Sequence, residues 1–393
     1  MTEELHIEKT VLPPGWLSTE VDTLCEVEYG TRVVRKRDGG TIYPVYGGGG
    51  ATFFMDTFNR ENCLVVARFA MSKKCTRFIN GKFFLNDSGL SVKPRNTDLI
   101  SQKFLNKYFI FLNDYIYSLA RGTAQKNLNV PAFRKLLISY PKSTHQQQQI
   151  VATLDKAFAA IDKAKANAEQ NLKNAKELFE SYLQNVFENK GDNWVSSELN
   201  EFVNFIDYRG RTPVKTSSGV RLITAKNIKL GYLQIKPEEF IAEDNYEAWM
   251  TRGIPNFGDV IFTTEAPLGH IAQVNTKEKL AFAQRVIVMQ PDAKKINQTF
   301  LKYLLLSNPI RNKILARGTG ATVLGIKSRL LKKIEIDFPN SIEEQEKIVI
   351  KLDTLSEETK KIEAIYTLKI ADLEEMKKSV LQKAFSGQLN TVT

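Results

Sequence analysis

The sequence predicts two mixed α/β globular domains joined by two long α-helices that pair as an antiparallel coiled coil, the whole related by an internal pseudo-two-fold repeat. Three observations predict it: landmarks that recur in order along the chain, two stretches of more than 40 residues with helical periodicity and neither proline nor glycine, and an uneven distribution of positive charge.

The repeat orders everything else. Trp16-Leu-Ser-Thr-Glu20-Val21 is answered by Trp194-Val-Ser-Ser-Glu198-Leu199 at an offset of 178. Phe104-Leu105 and Ala120-Arg121-Gly122-Thr123 are answered by Phe300-Leu301 and Ala316-Arg317-Gly318-Thr319, both at 196. Stretches beginning at Ser143 and Ser341 then match at 198, through Gln147/Gln345, Ile150-Val151/Ile348-Val349, Leu154-Asp155/Leu352-Asp353 and Leu183-Gln184-x-x-Phe187/Leu381-Gln382-x-x-Phe385, with 13 identities in 45 ungapped positions. The offset moves by 18 between the first two landmarks and by two thereafter. A frame is therefore repeated, and the centre of each globular part has diverged.

The helices follow from spacing. Within 146–187, apolar residues recur at 150, 154, 158, 161, 168, 172, 175, 179, 182 and 186, and 343–385 repeats the pattern from Ile348 to Ala384. Each helix spans about 60 Å at 1.5 Å per residue. A stripe that long needs a partner, and the other copy supplies one. Pro141 and Pro339, after the apolar runs Leu136–Tyr140 and Ile334–Phe338, mark where each globular part stops. The segments are thus 1–142 (first globular domain), 143–191 (helical spacer), 192–340 (second globular domain) and 341–393 (second helical spacer). Inside the globular parts, Leu64–Arg68 and Asp259–Thr264 read as strands, with one helix near 101–120 and its counterpart near 297–315.

Several function classes are unsupported. No basic start followed by an apolar run opens the chain and no eighteen consecutive apolar residues occur, so a soluble, cytoplasmic protein is expected. Cys25, Cys63 and Cys75 form no C-x-x-C pair, and His6, His145 and His270 show no metal-ligand spacing. Gly320–Ser328 approaches a phosphate-binding loop, but Ile326 separates Gly325 from Lys327. Neither a methyltransferase motif nor a convincing nuclease set is present. We expect no catalytic residue, metal or cofactor in this chain.

The net charge is +11. Residues 143–190 carry six Lys against six acids and 341–387 eight against ten, so the helices hold −2 and the rest of the chain +13. All 17 arginines lie outside the helices. Arginine suits bidentate phosphate and guanine contacts, so the globular parts are the expected nucleic-acid surfaces and the helices a protein-facing scaffold. In the first part the candidates are Arg32, Arg35, Lys36, Arg37, Tyr43, Tyr46 and Gly48 in the Gly47–Gly50 run, where the backbone can approach a ligand closely. In the second they are Tyr208, Arg209, Arg211, Thr212, Lys215, Lys226 and Asn227. Asn86 and Gln284, at offset 198, have the chemistry to read adenine or to satisfy a buried backbone group, and Arg285 adjoins Gln284. Arg121/Thr123 and Arg317/Thr319 recur in the frame, which suits phosphate anchoring better than base reading.

The order of domain, long helix, domain, long helix resembles the specificity subunits of type I restriction-modification enzymes. Local carriers of the resemblance are Tyr43-Pro-Val-Tyr46-Gly, Gly210-Arg211-Thr212-Pro213, Lys226-Asn227-Ile228 and the Gln-x-x-Ile-Val-x-x-Leu-Asp helix starts at 147 and 345. The resemblance implies target-recognition domains that read a bipartite, asymmetric double-stranded DNA site, two methyltransferase subunits on the helical spacers, and motor-nuclease subunits joined through the complex. It implies S-adenosylmethionine, ATP and Mg²⁺ as ligands of those partners and not of this chain. Helix length would then set the gap between the two parts of the site. Other readings of the same features are the recognition subunit of a type IIB-like or phage-exclusion methyltransferase system, and a coiled-coil adaptor binding RNA or acidic proteins.

Overall fold

The computed structural model describes residues 12–210 and 212–389. By contact the chain forms two compact units, Met1–Glu169 with Thr367–Thr393, and Gln170–Tyr366. The long helices Thr144–Glu188 and Ile342–Phe385 each give one half to each unit. A unit is therefore a globular domain, the start of the helix that follows it and the end of the other helix. Linear segmentation and spatial packing divide the chain differently.

In the first unit a six-stranded sheet is ordered Cys25–Tyr29, Gly89–Pro94, Arg60–Ala67, Thr76–Leu85, Tyr43–Tyr46, Ala51–Met55. The strand Arg60–Ala67 ends in five buried residues, the reading that continuous apolar runs give for a central strand. Phe104, Phe109 and Phe133 pack under the sheet with Leu154 and Phe158 of the first long helix and Leu381 and Phe385 of the second. The second unit carries a four-stranded sheet (Val203–Asp207, Val286–Pro291, Val260–Thr263, Ile271–Gln273) and a three-stranded one (Phe240–Ile241, Val220–Ile223, Leu280–Phe282). Its core takes Leu183 and Phe187 from the first long helix and Val349 and Leu352 from the second.

The repeated frame becomes the same set of contacts in each unit. Trp16–Glu20 pairs antiparallel with Leu137–Pro141, Trp16 facing Pro141; Trp194–Glu198 pairs with Glu335–Pro339, Trp194 facing Pro339. Each tryptophan meets a phenylalanine edge-on, Phe104 at 6.4 Å and Phe300 at 6.2 Å. Against that phenylalanine the far end of a long helix docks another ring, Phe385 at 5.4 Å in one unit and Phe187 at 5.5 Å in the other. The Leu-Asp pair has a purpose as well. Asp155 holds the Lys107 ammonium at 2.5 Å and Asp353 accepts from the Tyr303 hydroxyl at 2.6 Å, tying each long helix to the short helix beside it.

The two glutamines form the joint where strand turns into helix. Gln147 is fully buried; its amide donates to the carbonyls of Leu99 (2.8 Å) and Pro141 (2.9 Å), and its oxygen accepts from the amide of Ser101 (3.0 Å). Gln345 does the same for Lys295 (3.1 Å), Pro339 (2.8 Å) and Asn297 (2.7 Å). Three main-chain groups in each unit, one of them in a fully buried bond, are satisfied by one buried side chain, which is why a polar residue recurs in an apolar stripe.

Helix pairing is antiparallel within each unit, as expected from the repeat. In the first, Lys165 pairs with Glu374 and Lys377 with Asp162 (2.8 Å), one index falling as the other rises. In the second, Asn171 donates to the Tyr366 hydroxyl at 3.1 Å. The apolar stripe serves domain and partner helix together: Ile150, Leu154 and Phe158 enter the first domain's core, and Ile161 and Ala168 are buried further along. One expectation needs correction. The single helix near 101–120 is two, Gln102–Phe111 and Asn113–Ser118, and its counterpart is Gln298–Leu306 followed by Asn308–Ala316. Pro309 sits at the start of Asn308–Ala316, where it suits a new first turn but not the middle of a longer helix. In the first unit Asn113 breaks the run by accepting from the amides of Cys75 (3.0 Å) and Thr76 (3.1 Å).

Gln147→Leu and Gln345→Leu each remove the partner of three main-chain groups, including the buried proline carbonyl. Both should destabilise the chain by about 2 kcal/mol or more, to similar extents, measured as a lowered midpoint of chemical unfolding.

Candidate nucleic-acid interface

The loops at one end of each sheet are held by the same main-chain bonds in both units. In the first, Arg68 N donates to Ser88 O (2.8 Å) and Leu128 N to Arg68 O (2.8 Å); in the second, Thr264 N donates to Arg285 O (2.8 Å) and Ile326 N to Thr264 O (2.9 Å). Two residues on, both chains turn through an alanine in the left-handed region, Ala70 at φ 47° and Ala266 at φ 48°. Three stretches thus converge in each unit: the residues after a central strand, a turn before a neighbouring strand, and the loop carrying Arg-Gly-Thr.

In the first unit these stretches gather several predicted residues. Gly48 donates to Ser88 Oγ (3.2 Å), and Asn86 Oδ1 accepts from the amide and hydroxyl of Ser88, closing the turn. Of the two roles open to Asn86, its oxygen takes the structural one. A Cβ on Gly47 would fall 2.1 Å from Ser88 Oγ and 2.4 Å from Asn86 Oδ1, so only glycine lets the loop approach this turn. Tyr46 meets Phe83 edge-on at 5.6 Å and Tyr43 lies against Phe58 at 5.1 Å, so both are half-buried platforms. Arg32, Arg35, Lys36 and Arg37 are exposed, the last three on the one-turn helix Arg35–Asp38, where Arg37 pairs with Asp38 at 2.8 Å.

Two arginines that sequence reasoning missed hold this end together. Arg77 donates to the carbonyls of Gly48 (2.9 Å), Lys74 (3.1 Å) and Gly49, fixing the glycine loop. Arg68 lies over the rings of Tyr29 (4.8 Å) and Phe69 (4.2 Å) and donates to Asp87 O (3.1 Å). The signal was present in the frame: Arg68-Phe-Ala70 and Thr264-Glu-Ala266 stand at offset 196, like the Arg-Gly-Thr landmark.

In the second unit the stretches enclose a cavity of about 450 Å³ lined by Arg209, Glu265, Gln284, Arg285, Thr319 and Lys327 among others. Four are predicted residues; Glu265 and Lys327 were missed. Thr212 joins them by accepting from the Gln284 amide. Arg209 is gripped by Asp207 through Nε (2.8 Å) and Nη2 (2.6 Å). Burial pushes the Asp207 carboxyl up, but the hydrogen bonds and charge of Arg209 outweigh it and hold the group below the usual carboxylate range. Arg285 Nε lies 3.0 Å from Glu265 Oε1, about half of each side chain remaining exposed.

Other predicted residues are placed differently. Tyr208 is fully buried, stacked on Trp249, its hydroxyl donating to Gly253 O and accepting from Arg252 N, both at 2.9 Å. Asn227 is buried too, its amide donating to the carbonyls of Gln234, Ile235 and Pro237 and its oxygen accepting from Thr224. Both are corrected from ligand-facing to structural residues: an aromatic flanking a basic run, or an Asn after a Lys, serves the core as readily as the surface. Lys215 (2.9 Å) and Lys226 (3.8 Å) share Glu239, away from the cavity lining. Arg317 donates to Lys333 O (2.7 Å) and Arg121 lies within reach of the Asn129 amide oxygen (3.0 Å), so both brace their loops. Thr123 and Thr319 are exposed on those loops. Arg211 lies outside the described residues. Among the described residues no cluster of His, Cys, Asp and Glu could hold a metal ion, and no helix is long and apolar enough to cross a membrane.

The architecture is that of a duplicated protein, two loop clusters on one main-chain frame with two long helices that each serve both units. The type I restriction modification DNA specificity domain matches residues 15–174 and again 182–369, and the chain belongs to that family. It is 22% identical over 347 residues to the type I restriction enzyme MjaVIII specificity subunit of Methanocaldococcus jannaschii, covering 79% of this chain and 76% of that one. Its fold is similar to a chain solved in a study of complex assembly and conformational transition of the type I R-M system (TM-score 0.76, 18% identity, 96% of this chain and 100% of the other). It is also similar to the HsdS subunit from Thermoanaerobacter tengcongensis (TM-score 0.55, 16% identity, 98% and 100%).

Because Tyr208 is a core residue, Tyr208→Phe should cost about 1 kcal/mol of stability. DNA affinity of the folded protein should be unchanged, a combination read by unfolding and binding titrations on the same preparation.

Proposed function

We propose that this chain is the sequence-reading subunit of a type I restriction-modification complex, each unit contacting one part of a bipartite, asymmetric duplex DNA site. The helical spacers take two methyltransferase subunits, and motor-nuclease subunits join through the complex. The chain itself performs no reaction; S-adenosylmethionine, ATP and Mg²⁺ serve the partners. Acting on DNA, it works in the cytoplasm of a bacterial or archaeal host.

One observation carries this reading: the same main-chain frame recurs in both units but presents different side chains, Arg68, Phe69 and Ser88 in one and Thr264, Glu265 and Arg285 in the other. Identical scaffolding with non-identical chemistry suits reading two different sequences. The near-neutral helices, with Ile350, Ile365, Leu368 and Met376 exposed, suit a protein partner. Binding should favour the cognate duplex over RNA of the same length and weaken with salt at a log–log slope of about −0.9 per phosphate neutralised. Preference for RNA or acidic protein, or salt-independent binding, would remove the reading.

Each long helix gives one half to each unit, so residues added at that division lengthen the helices alone. Four residues inserted after Glu169 together with four after Tyr366, about 6 Å of helix, should lengthen the gap in the methylated motif by one or two base pairs at about 3.4 Å each. The bases at either end should stay the same, as read by methylation sequencing of a host carrying the whole system.

A further inference from the structure

The cavity in the second unit holds three cations that differ in what already occupies them. Arg209 is spoken for: Asp207 takes its Nε and one terminal nitrogen, and the other reaches Ile326 O at 3.4 Å. Lys327 is exposed and makes no ion pair among the described residues, and an ammonium on a flexible stem suits a phosphate. Arg285 is intermediate. Glu265 faces its Nε at 3.0 Å, and neither terminal nitrogen has a hydrogen-bond partner among the described residues. With its Nε turned toward Glu265, the guanidinium keeps both NH₂ groups available, the fork that matches N7 and O6 of guanine.

The backbone supports the same assignment. Arg285 stands at φ 70°, a region that non-glycine residues seldom adopt. Its carbonyl is held by Thr264 N at 2.8 Å. The corresponding position in the first unit is Ser88, whose carbonyl accepts from Arg68 N at the same 2.8 Å. Ser88 has no positive φ, so the conformation is particular to the second unit. At this position the duplicated frame carries a hydroxyl committed to its own turn in one unit and a half-exposed guanidinium facing Glu265 in the other.

Resting on the DNA-reading function proposed above, we infer that Arg285, oriented by Glu265, is a specificity-determining residue of the second unit, and that it reads a guanine in the major groove of one part of the site. Glu265 is a positioning residue: it fixes the plane of the fork and prevents Arg285 from folding onto a phosphate.

The test uses the complete system in a host, with methylation-motif sequencing, and the purified full chain in competition with duplexes substituted one base pair at a time. Arg285→Gly removes the side chain at a φ that glycine favours, so folding is spared; Arg285→Lys keeps the charge and loses the fork. Both should lose discrimination at a single G·C pair by about tenfold or more, leaving the other positions and the other half of the motif unchanged. Glu265→Gln should weaken discrimination at that same pair. A motif unchanged by both Arg285 variants overturns the assignment. So does a uniform loss of affinity across all duplexes that Arg285→Lys restores, because that is a phosphate contact. A native complex that methylates no defined motif overturns the DNA-reading function itself, and Arg285 with it.

Discussion

The buried glutamine at the start of each long helix is the interaction on which the rest of the architecture depends. A strand ending in proline must become a helix of more than 40 residues in three steps of chain, and the turn leaves the proline carbonyl buried. Gln147 and Gln345 satisfy two carbonyls and one amide apiece, from two stretches of chain about 40 residues apart in sequence, Leu99–Ser101 with Pro141 and Lys295–Asn297 with Pro339. That fixes the direction in which a helix leaves its domain. At the opposite end of each helix the plug is aromatic: Phe187 and Phe385 pack against Phe300 and Phe104, the rings that the frame tryptophans also touch. Every unit is thereby built from one helix start and one helix end.

A fixed frame leaves the loops free to vary. The main-chain bonds that organise Arg68, Ser88 and Leu128 recur at Thr264, Arg285 and Ile326, with bond lengths within about a tenth of an ångström. Because those bonds use only backbone atoms, they place no demand on side chains, and side-chain identity can change without moving the loop. Within each loop cluster most charge is committed to holding shape: Arg77 on the glycine loop, Arg317 on Lys333, Arg209 on Asp207. Positive charge in the globular parts is therefore not all available to a polyanion. Counting arginines overstates the binding surface.

The helices and the duplicated frame were legible in the sequence because both rest on spacing. A 3.6-residue period without glycine or proline determines a helix, and the matched Trp, Phe, Gln and Leu-Asp positions turned out to be contacts made twice. What the sequence did not show was which copy each helix end serves, because Phe187 and Phe385 pack with domains that their neighbours in the chain do not distinguish. The helix break at Asn308-Pro309 was missed although the proline marks it, and its counterpart at Leu112-Asn113, where no proline stands, carries no such mark. Site residues were harder. Gln284, Arg285, Arg209 and Thr319 come together around one cavity, whereas Tyr208 and Asn227 are core, and nothing in a basic, aromatic run says which tyrosine faces inward. Arg77 escaped because an isolated arginine carries no pattern, and Glu265 because its frame stretch shares a single alanine with the first copy.

The central claim is that the two globular parts read separate pieces of one DNA site while a common frame holds them. Replacing residues 205–300 with the corresponding centre from another specificity subunit, leaving the Trp194 strand, the Gln345 joint and both long helices intact, tests it most directly. Methylation sequencing of a host carrying the full system should show one half of the motif exchanged, the other half and the gap retained. Exchange of both halves, or a changed gap with unchanged bases, would contradict the account.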